Sequence, residues 1–266
     1  MSKSKTWIVL AITALVAGAI FAAGCGGDDD GGSGDTIKEG ELLVGTDTPF
    51  PPFEIGQPPD ISGYDIDVMD AIAEDLDLTA KYEDTSFDTI FRDTANGRFD
   101  IAAAASTITP AREKVVTFST PYYEAQQALV VQEGSDITST KDLSGAIVGA
   151  QDATTGETYA NDETDASEVR GFPEGPDAIT AVRTGQVDAA IIDQPVAADA
   201  VDKQGGIEIA EEIQTDELYG FAMALDAPLV SDVDDALDTL KEDGTIDDLY
   251  EKYFKTDPPD SVLNPD

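Results

Sequence analysis

The chain has 266 residues, with 15 lysines and arginines against 55 aspartates and glutamates, no histidine, and a formal charge of −40. Such a charge excludes nucleic acid and anionic lipid as electrostatic partners, and the lack of histidine excludes Ser-His and Cys-His catalytic groupings and His-ligated metals. At 41% apolar residues the chain is still globular, and the mutual repulsion of its acids, which salt screens, fits a salt-loving host or simply an acid-rich proteome.

The N-terminus reads MSKSKTWIVLAITALVAGAIFAAGC, with two lysines, an apolar run from Trp7 to Ala23, and small residues up to Cys25. This pattern predicts an export signal over residues 1–24. An uncleaved anchor is the alternative, since the run is long for a signal core and slightly short for a span. Ala22-Ala23-Gly24-Cys25 resembles a bacterial lipobox, which implies cleavage before Cys25, lipid on its thiol and new amino group, and an extracytoplasmic protein tethered to the cell membrane. As the sole cysteine, it can form no intramolecular disulfide. The Gly/Asp-rich segment of residues 25–40 reads as a flexible, self-repelling spacer.

From Glu41 strands and helices alternate. LLVG reads as a strand, Tyr64 to Leu76 as a helix with Val68, Met69, Ile72 and Leu76 on one face, and LTAKYE as a strand. SFDTIFRDTANG follows as a helix closed by Gly97, and FDIAAAAS as a buried strand. A second set repeats the order: the strand AIVGAQ, a helix from Gly156 to about Asp162, the strand EVRGF, a helix near Asp177–Thr184, and the strand QVDAAIID. Near the C-terminus Val233, Ala236, Leu237 and Leu240 share a helical face, Gly244 ends that helix, and Thr245 can cap the next, whose face is Ile246, Leu249, Tyr250 and Tyr253. These βαβ units predict an α/β protein with parallel sheets. Ligands of such sheets sit beyond the carboxyl ends of the strands, here Asp47–Phe50, Thr85–Phe87, Ala104–Thr107, Gln151–Thr155 and Asp193, so a cleft between two α/β lobes is expected.

One of the five arginines, Arg112, follows Thr109-Pro110, a pair that reads as an N-cap and first helical residue. A cation in the first turn opposes the helix dipole by roughly 0.3–1 kcal/mol, so an anion nearby would compensate. That anion could be a surface carboxylate or a ligand. Asp193 ends an apolar strand, where a carboxylate needs a cation, an internal partner or an exposed loop.

GTDTPFPPFE, GYDIDVMDAIA, TITPAREKVVTFSTPYY, AVRTGQVDAAIID and LKEDGTIDDLYEKYF resemble, in order and spacing, the family-3 extracellular solute-binding proteins, receptors of polar amino-acid ABC importers. The resemblance implies a type II periplasmic-binding-protein clamshell. Lobe 1 would hold residues 41–125 and 217–266, and lobe 2 residues 126–216, joined by hinge strands near Glu124–Gln127 and Thr215–Tyr219. It further implies that Arg112 grips a ligand α-carboxylate with help from Thr107, Thr154 and Thr155, and that Asp193 pairs with the α-ammonium. Phe50 and Phe87 would wall the ligand, and the Ala104–Ala105 backbone would face the ammonium. Asp47 and Gln151 would read the side chain, glutamine or another polar amino acid first and a cationic one as the alternative. No catalysis, cofactor or metal is implied; the partners are a free amino acid and an ABC permease, and the receptor would act as a monomer. Secreted cyclohexadienyl dehydratases and amino-acid sensor modules share the resemblance and stand as alternatives.

Overall fold

The computed structural model describes residues 36–265; the export signal, Cys25 and residues 25–35 of the spacer lie outside the described residues. The chain first forms β1 (Glu41–Thr46), the hairpin β2 (Ile55–Gln57) and β3 (Asp60–Ser62), α1 (Tyr64–Asp75), β4 (Thr79–Asp84), α2 (Phe87–Ala95), β5 (Ile101–Ala102) and β6 (Val116–Phe118). It continues as β7 (Tyr123–Gln132), β8 (Ile147–Gln151), α3 (Thr155–Asp162), β9 (Glu168–Phe172), α4 (Gly175–Arg183), β10 (Ala189–Asp193), α5 (Gln194–Gln204) and β11 (Ile207–Tyr219). Then come β12 (Ala222–Ala224), α6 (Leu229–Glu242), α7 (Thr245–Phe254) and α8 (Asp260–Leu263).

Two five-stranded sheets result, ordered β4-β1-β5-β12-β6 and β11-β7-β10-β8-β9. Within them β1 runs parallel to β4 and β5, and β8 parallel to β9 and β10. The chain leaves the first sheet at β7, builds the second, and returns after β11, when β12 inserts antiparallel between β5 and β6. The two hinge segments expected from sequence are the ends of much longer strands, β7 and β11, paired antiparallel from Ile207↔Gln132 to Tyr219↔Tyr123. Where they meet the first sheet, aromatic rings close-pack. Tyr122 stacks on Phe221 at 3.9 Å, and Phe53 and Phe254 meet Tyr123 at 5.0 and 4.6 Å. The apolar faces read from the sequence are buried: Val68, Met69 and Ile72 on α1, Val233, Ala236 and Leu237 on α6, Ile246 and Tyr250 on α7. No helix among the described residues is long and apolar enough to cross a membrane.

Three local readings are corrected. FDIAAAAS is a strand only at Ile101–Ala102; beyond it Ala105 takes a φ of +44°, which no ladder tolerates. Thr245 is not a cap but the first residue of α7, preceded by Gly244 at φ +87°, and its own N–H donates to Asp243 Oδ1 at 2.9 Å. No α-helix starts at Pro110; Arg112–Lys114 forms a single 3-10 turn, because the chain must extend at once into β6. Helix α5 has no counterpart among the elements expected from the sequence, although Val196, Ala197 and Ala200 bury one face of it and Pro195 sits in its first turn, where proline is tolerated.

Two glycines separate crowding from backbone strain. Gly63 enters α1 at φ +138°, and a Cβ there would lie 1.9 Å from the Phe53 carbonyl oxygen. At Gly244, φ is +87° with nothing within 4 Å of an added Cβ. Gly244→Ala should therefore lose about 1–2 kcal/mol, the left-handed penalty alone, while Gly63→Ala should lose on the order of 3 kcal/mol or more. Urea unfolding of the two variants checks the order.

Candidate functional site

A narrow cavity lies at the strand carboxyl ends, with walls from both sheets. The first sheet and its connections supply Asp47 and Phe50 after β1, Phe87 at the start of α2, Ala104, Ala105 and Thr107 after β5, and Arg112. From the second come Gln151 at the end of β8, Thr154 and Thr155 at the entry to α3, and Asp193 at the end of β10. All eleven residues singled out in the sequence line this one space.

Arg112 is held by backbone and by rings. Its Nη1 donates to Thr107 O at 2.7 Å and its Nη2 to Ala153 O at 3.2 Å, so the guanidinium spans from one sheet's loops to the other's. Its Cζ lies 4.7 Å from the Phe91 ring centroid and 5.0 Å from that of Phe87, a cation–π arrangement that fixes the plane. Thr109 Oγ1 does accept from Arg112 N, at 3.2 Å. A three-residue turn, however, has no macrodipole of consequence, so the conflict inferred from sequence does not arise. Two of the five guanidinium N–H groups go to these carbonyls, leaving three for an anion. Burial pulls Arg112 down to about 10 despite Glu217 and Asp193, so it stays cationic at neutral pH.

Asp193 closes the opposite side. Burial, and then the charge of Glu217, push its carboxyl up to about 7, partly offset by hydrogen bonds from Tyr219 and Gln127 and by the field of Arg112. The Gln127 amide donates to Asp193 Oδ1 and, at 3.2 Å, to Glu217 Oε1. Glu217, missed in the sequence, is the centre of this polar cluster. Its Oε2 accepts the Thr107 hydroxyl at 2.6 Å and the Thr155 hydroxyl at 2.7 Å, so one carboxylate oxygen on β11 ties together the loops of both sheets. These two hydroxyls are thus directed at Glu217. Thr154 caps α3, its Oγ1 accepting from Glu157 N at 3.1 Å.

Asp47 and Gln151 meet directly across the cavity, with Gln151 Nε2 donating to Asp47 Oδ2 at 2.7 Å and to Pro173 O at 3.0 Å. The other Asp47 oxygen, Oδ1, is buried without a partner, and so is Glu174 Oε2 nearby. Burial raises Asp47 to about 7, opposed by the Gln151 bond and reinforced by Asp84. Glu174 is likewise raised to about 7, by burial and then by Asp47 and Asp84. Phe50 and Phe87 are 7% and 6% exposed, and Phe50 packs so closely on Gly175 of α4 that an added Cβ would lie 2.7 Å from its ring. Among the described residues no cluster of His, Cys, Asp or Glu is placed to hold a metal ion.

A two-lobed α/β fold with a cleft lined from both lobes defines a class of binding proteins. The chain belongs to the bacterial extracellular solute-binding proteins, family 3, which it matches over residues 42–256. It is 31% identical to the ABC transporter glutamine-binding protein GlnH of Bacillus subtilis (strain 168), over 94% of this chain and 97% of that protein. Among solved structures it resembles an ancestral arginine-binding protein bound to glutamine, with TM-score 0.78 and 36% identity over 82% of this chain and all of that one. It also resembles the ancestral amino acid-binding protein AncCDT-1, a precursor of cyclohexadienyl dehydratase, with TM-score 0.76 and 35% identity over 81% and 96% of the two chains.

The Thr107–Glu217–Thr155 linkage should behave as one unit. Thr107→Val and Thr155→Val should each lower stability by about 1.5–3 kcal/mol, as expected for a hydrogen bond to a charged acceptor. Each effect should shrink when Glu217→Ala has already removed the acceptor, which a double-mutant cycle in urea measures.

Proposed function

We propose that the protein is a membrane-tethered receptor that holds a free α-amino acid with a cationic side chain between its lobes and delivers it, as a monomer, to an ABC permease. One observation carries the amino-acid reading: a guanidinium with spare donors and a buried carboxylate face one small cavity from opposite lobes. A zwitterion can satisfy both only when the lobes are together, so its binding stabilises closure. The lobe division at residues 125/126 and 216/217, and the lipid on Cys25, belong to this proposal. Relatives that bear the names of glutamine- and arginine-binding proteins support it. Binding without turnover is the reading adopted, since its parts need no covalent step.

The side chain follows from charge. Asp47, Asp193 and Glu217 are three acids against the single cation Arg112, and a zwitterion adds no net charge. A positively charged side chain reduces that excess where Asp47 Oδ1 lies buried without a donor. Gln151, which could have read an amide, already spends its Nε2 on Asp47 and Pro173. Favouring a cation further, the Phe50 ring lines the same cavity and can stack on a flat guanidinium.

Calorimetry with arginine and citrulline, equal in shape and differing in charge, tests this. Arginine should bind at least about tenfold tighter, a difference of ~1.4 kcal/mol, and Asp47→Asn should erase the gap. Equal affinities would remove the cationic assignment, whereas no binding by any α-amino acid would remove the receptor reading. Arg112→Ala and Asp193→Ala should each abolish binding with the fold retained, and Arg112→Lys should bind poorly because it loses the fork.

Affinity should also depend on pH. Asp47, Glu174 and Asp193 are raised to about 7, and a cation favours their ionised forms, so binding releases protons. Affinity is then full above pH 7 and falls as pH drops below it. Arginine should lose more than glutamine, because only arginine depends on the Asp47 end as well as on Asp193.

A further inference from the structure

Two wholly buried carboxyls of the first lobe do not line the cavity. Glu54, just before β2, and Asp65, in the first turn of α1, are both wholly buried. Their backbones are brought together where Asp65 N donates to Phe53 O at 3.3 Å. Asp65 Oδ2 accepts two hydrogen bonds, from Ala105 N and from the Tyr122 hydroxyl, both at 2.8 Å. Asp65 Oδ1 and both oxygens of Glu54 have no partner among the donors of the described residues.

A donor count decides which acid carries the charge. Asp65 has two donors and the N-terminal end of a twelve-residue helix, all of which favour its anion. Glu54 has none, and a buried carboxylate without donors or a cation is prohibitively unfavourable, so it retains its proton. That proton has one acceptor in want of a donor, Asp65 Oδ1. We propose that Glu54 is an un-ionised acid at neutral pH, that its hydroxyl donates to Asp65 Oδ1, and that this proton-sharing pair positions Ala105 in the cavity wall.

The groups around the pair agree. Burial above all, then the like charge of Asp65 on α1 and a hydrogen bond with it, and last the charge of Asp47 after β1, raise Glu54 well above the usual carboxylate range. Tyr122, before β7, gives its proton to Asp65, and Tyr64 on α1 donates to Tyr122 O at 2.9 Å, so neither tyrosine supplies a donor to Glu54. Through Asp65 the effect reaches the cavity. The Ala105 N–H is pinned at a φ of +44°, and this bend sets how Ala104, Ala105 and Thr107 face the interior. Glu54 is therefore a positioning residue two contacts from any ligand. Its influence on affinity rests on the receptor reading, whereas its protonation does not.

Infrared difference spectroscopy on the full chain at pH 8.5 tests the protonation, since Asp47, Glu174 and Asp193 are then largely ionised. The wild type should show a protonated-carboxyl band that persists in Asp47→Asn and vanishes in Glu54→Gln. Absence of the band from the wild type, or its survival in Glu54→Gln, overturns the proposal. Arginine titration tests the positioning. Glu54→Gln, which offers an N–H to Asp65 from the same place, should keep the Kd within twofold. Glu54→Leu, similar in size but without a donor, should raise it tenfold or more, chiefly through faster dissociation. Equal Kd values for the two variants overturn the positioning role. Should Glu54→Leu fail to fold, the infrared band and the Glu54→Gln affinity still decide. If the wild type binds no amino acid, the receptor reading fails, and the band alone judges the pair.

Discussion

Everything in the cleft is arranged around a charge imbalance, one buried guanidinium against several buried carboxyls. Arg112 stays cationic because ring faces and backbone carbonyls replace part of its hydration. The acids facing it are less well supplied. Asp193 shares the Gln127 amide with Glu217, and Asp47 has a donor on only one oxygen. Burial first, and like charges nearby second, disfavour ionisation, which raises Asp47, Glu174 and Asp193 to about 7. On the receptor reading proposed above, such a site suits a cationic guest better than an anionic or neutral one.

Glu217 shows how backbone irregularity makes such a site. The register between β11 and β7 slips between Ile213 and Glu217, and Asp216 within the slip takes a φ of +48°. Gln126 holds the bulge, its Oε1 accepting from Thr215 N and Asp216 N at 2.7 and 2.9 Å. A bulge re-aims the side chain that follows it, and here that side chain is Glu217, delivered between Thr107 and Thr155. Segment 106–108 is drawn to the same place by Ile108 N donating to Leu218 O and Gly220 N to Ser106 O, at 2.8 and 3.1 Å. The strands that link the lobes therefore also contribute chemistry to the cleft.

The parts legible in the sequence were those governed by periodicity and topology. Alternating βαβ units predict parallel pairing, and the rule that ligands lie beyond strand ends gathers Asp47, Phe50, Thr107, Gln151 and Asp193 from the sequence alone. Phe91 was within reach, since it lies one helical turn after Phe87 and a cation nearby should lie over both rings. Glu217 and Gln127 were not. Nothing in the string TDELY marks a bulge, because the residue at positive φ is an aspartate and not a glycine. The Arg112 turn was misread for a related reason: Thr-Pro signals a helix start, but β6 begins two residues after Lys114 and leaves room for one turn.

The two scales of acidity in this protein do different work. At physiological ionic strength the Debye length is about 8 Å, so the surface carboxylates that make up most of the −40 charge are screened over short distances. They can raise the encounter rate of a small cation in dilute salt, but they cannot tell arginine from lysine or hold either once bound. Asp47 is 3% exposed and Asp193 half-buried, so salt screens them less than the surface acids, and the unpaired Asp47 Oδ1 carries its desolvation penalty. On the receptor reading, recognition is consequently less sensitive to the salt that the surface responds to. A protein can then carry a strongly acidic exterior, whatever its environment demands, without altering which ligand its interior selects.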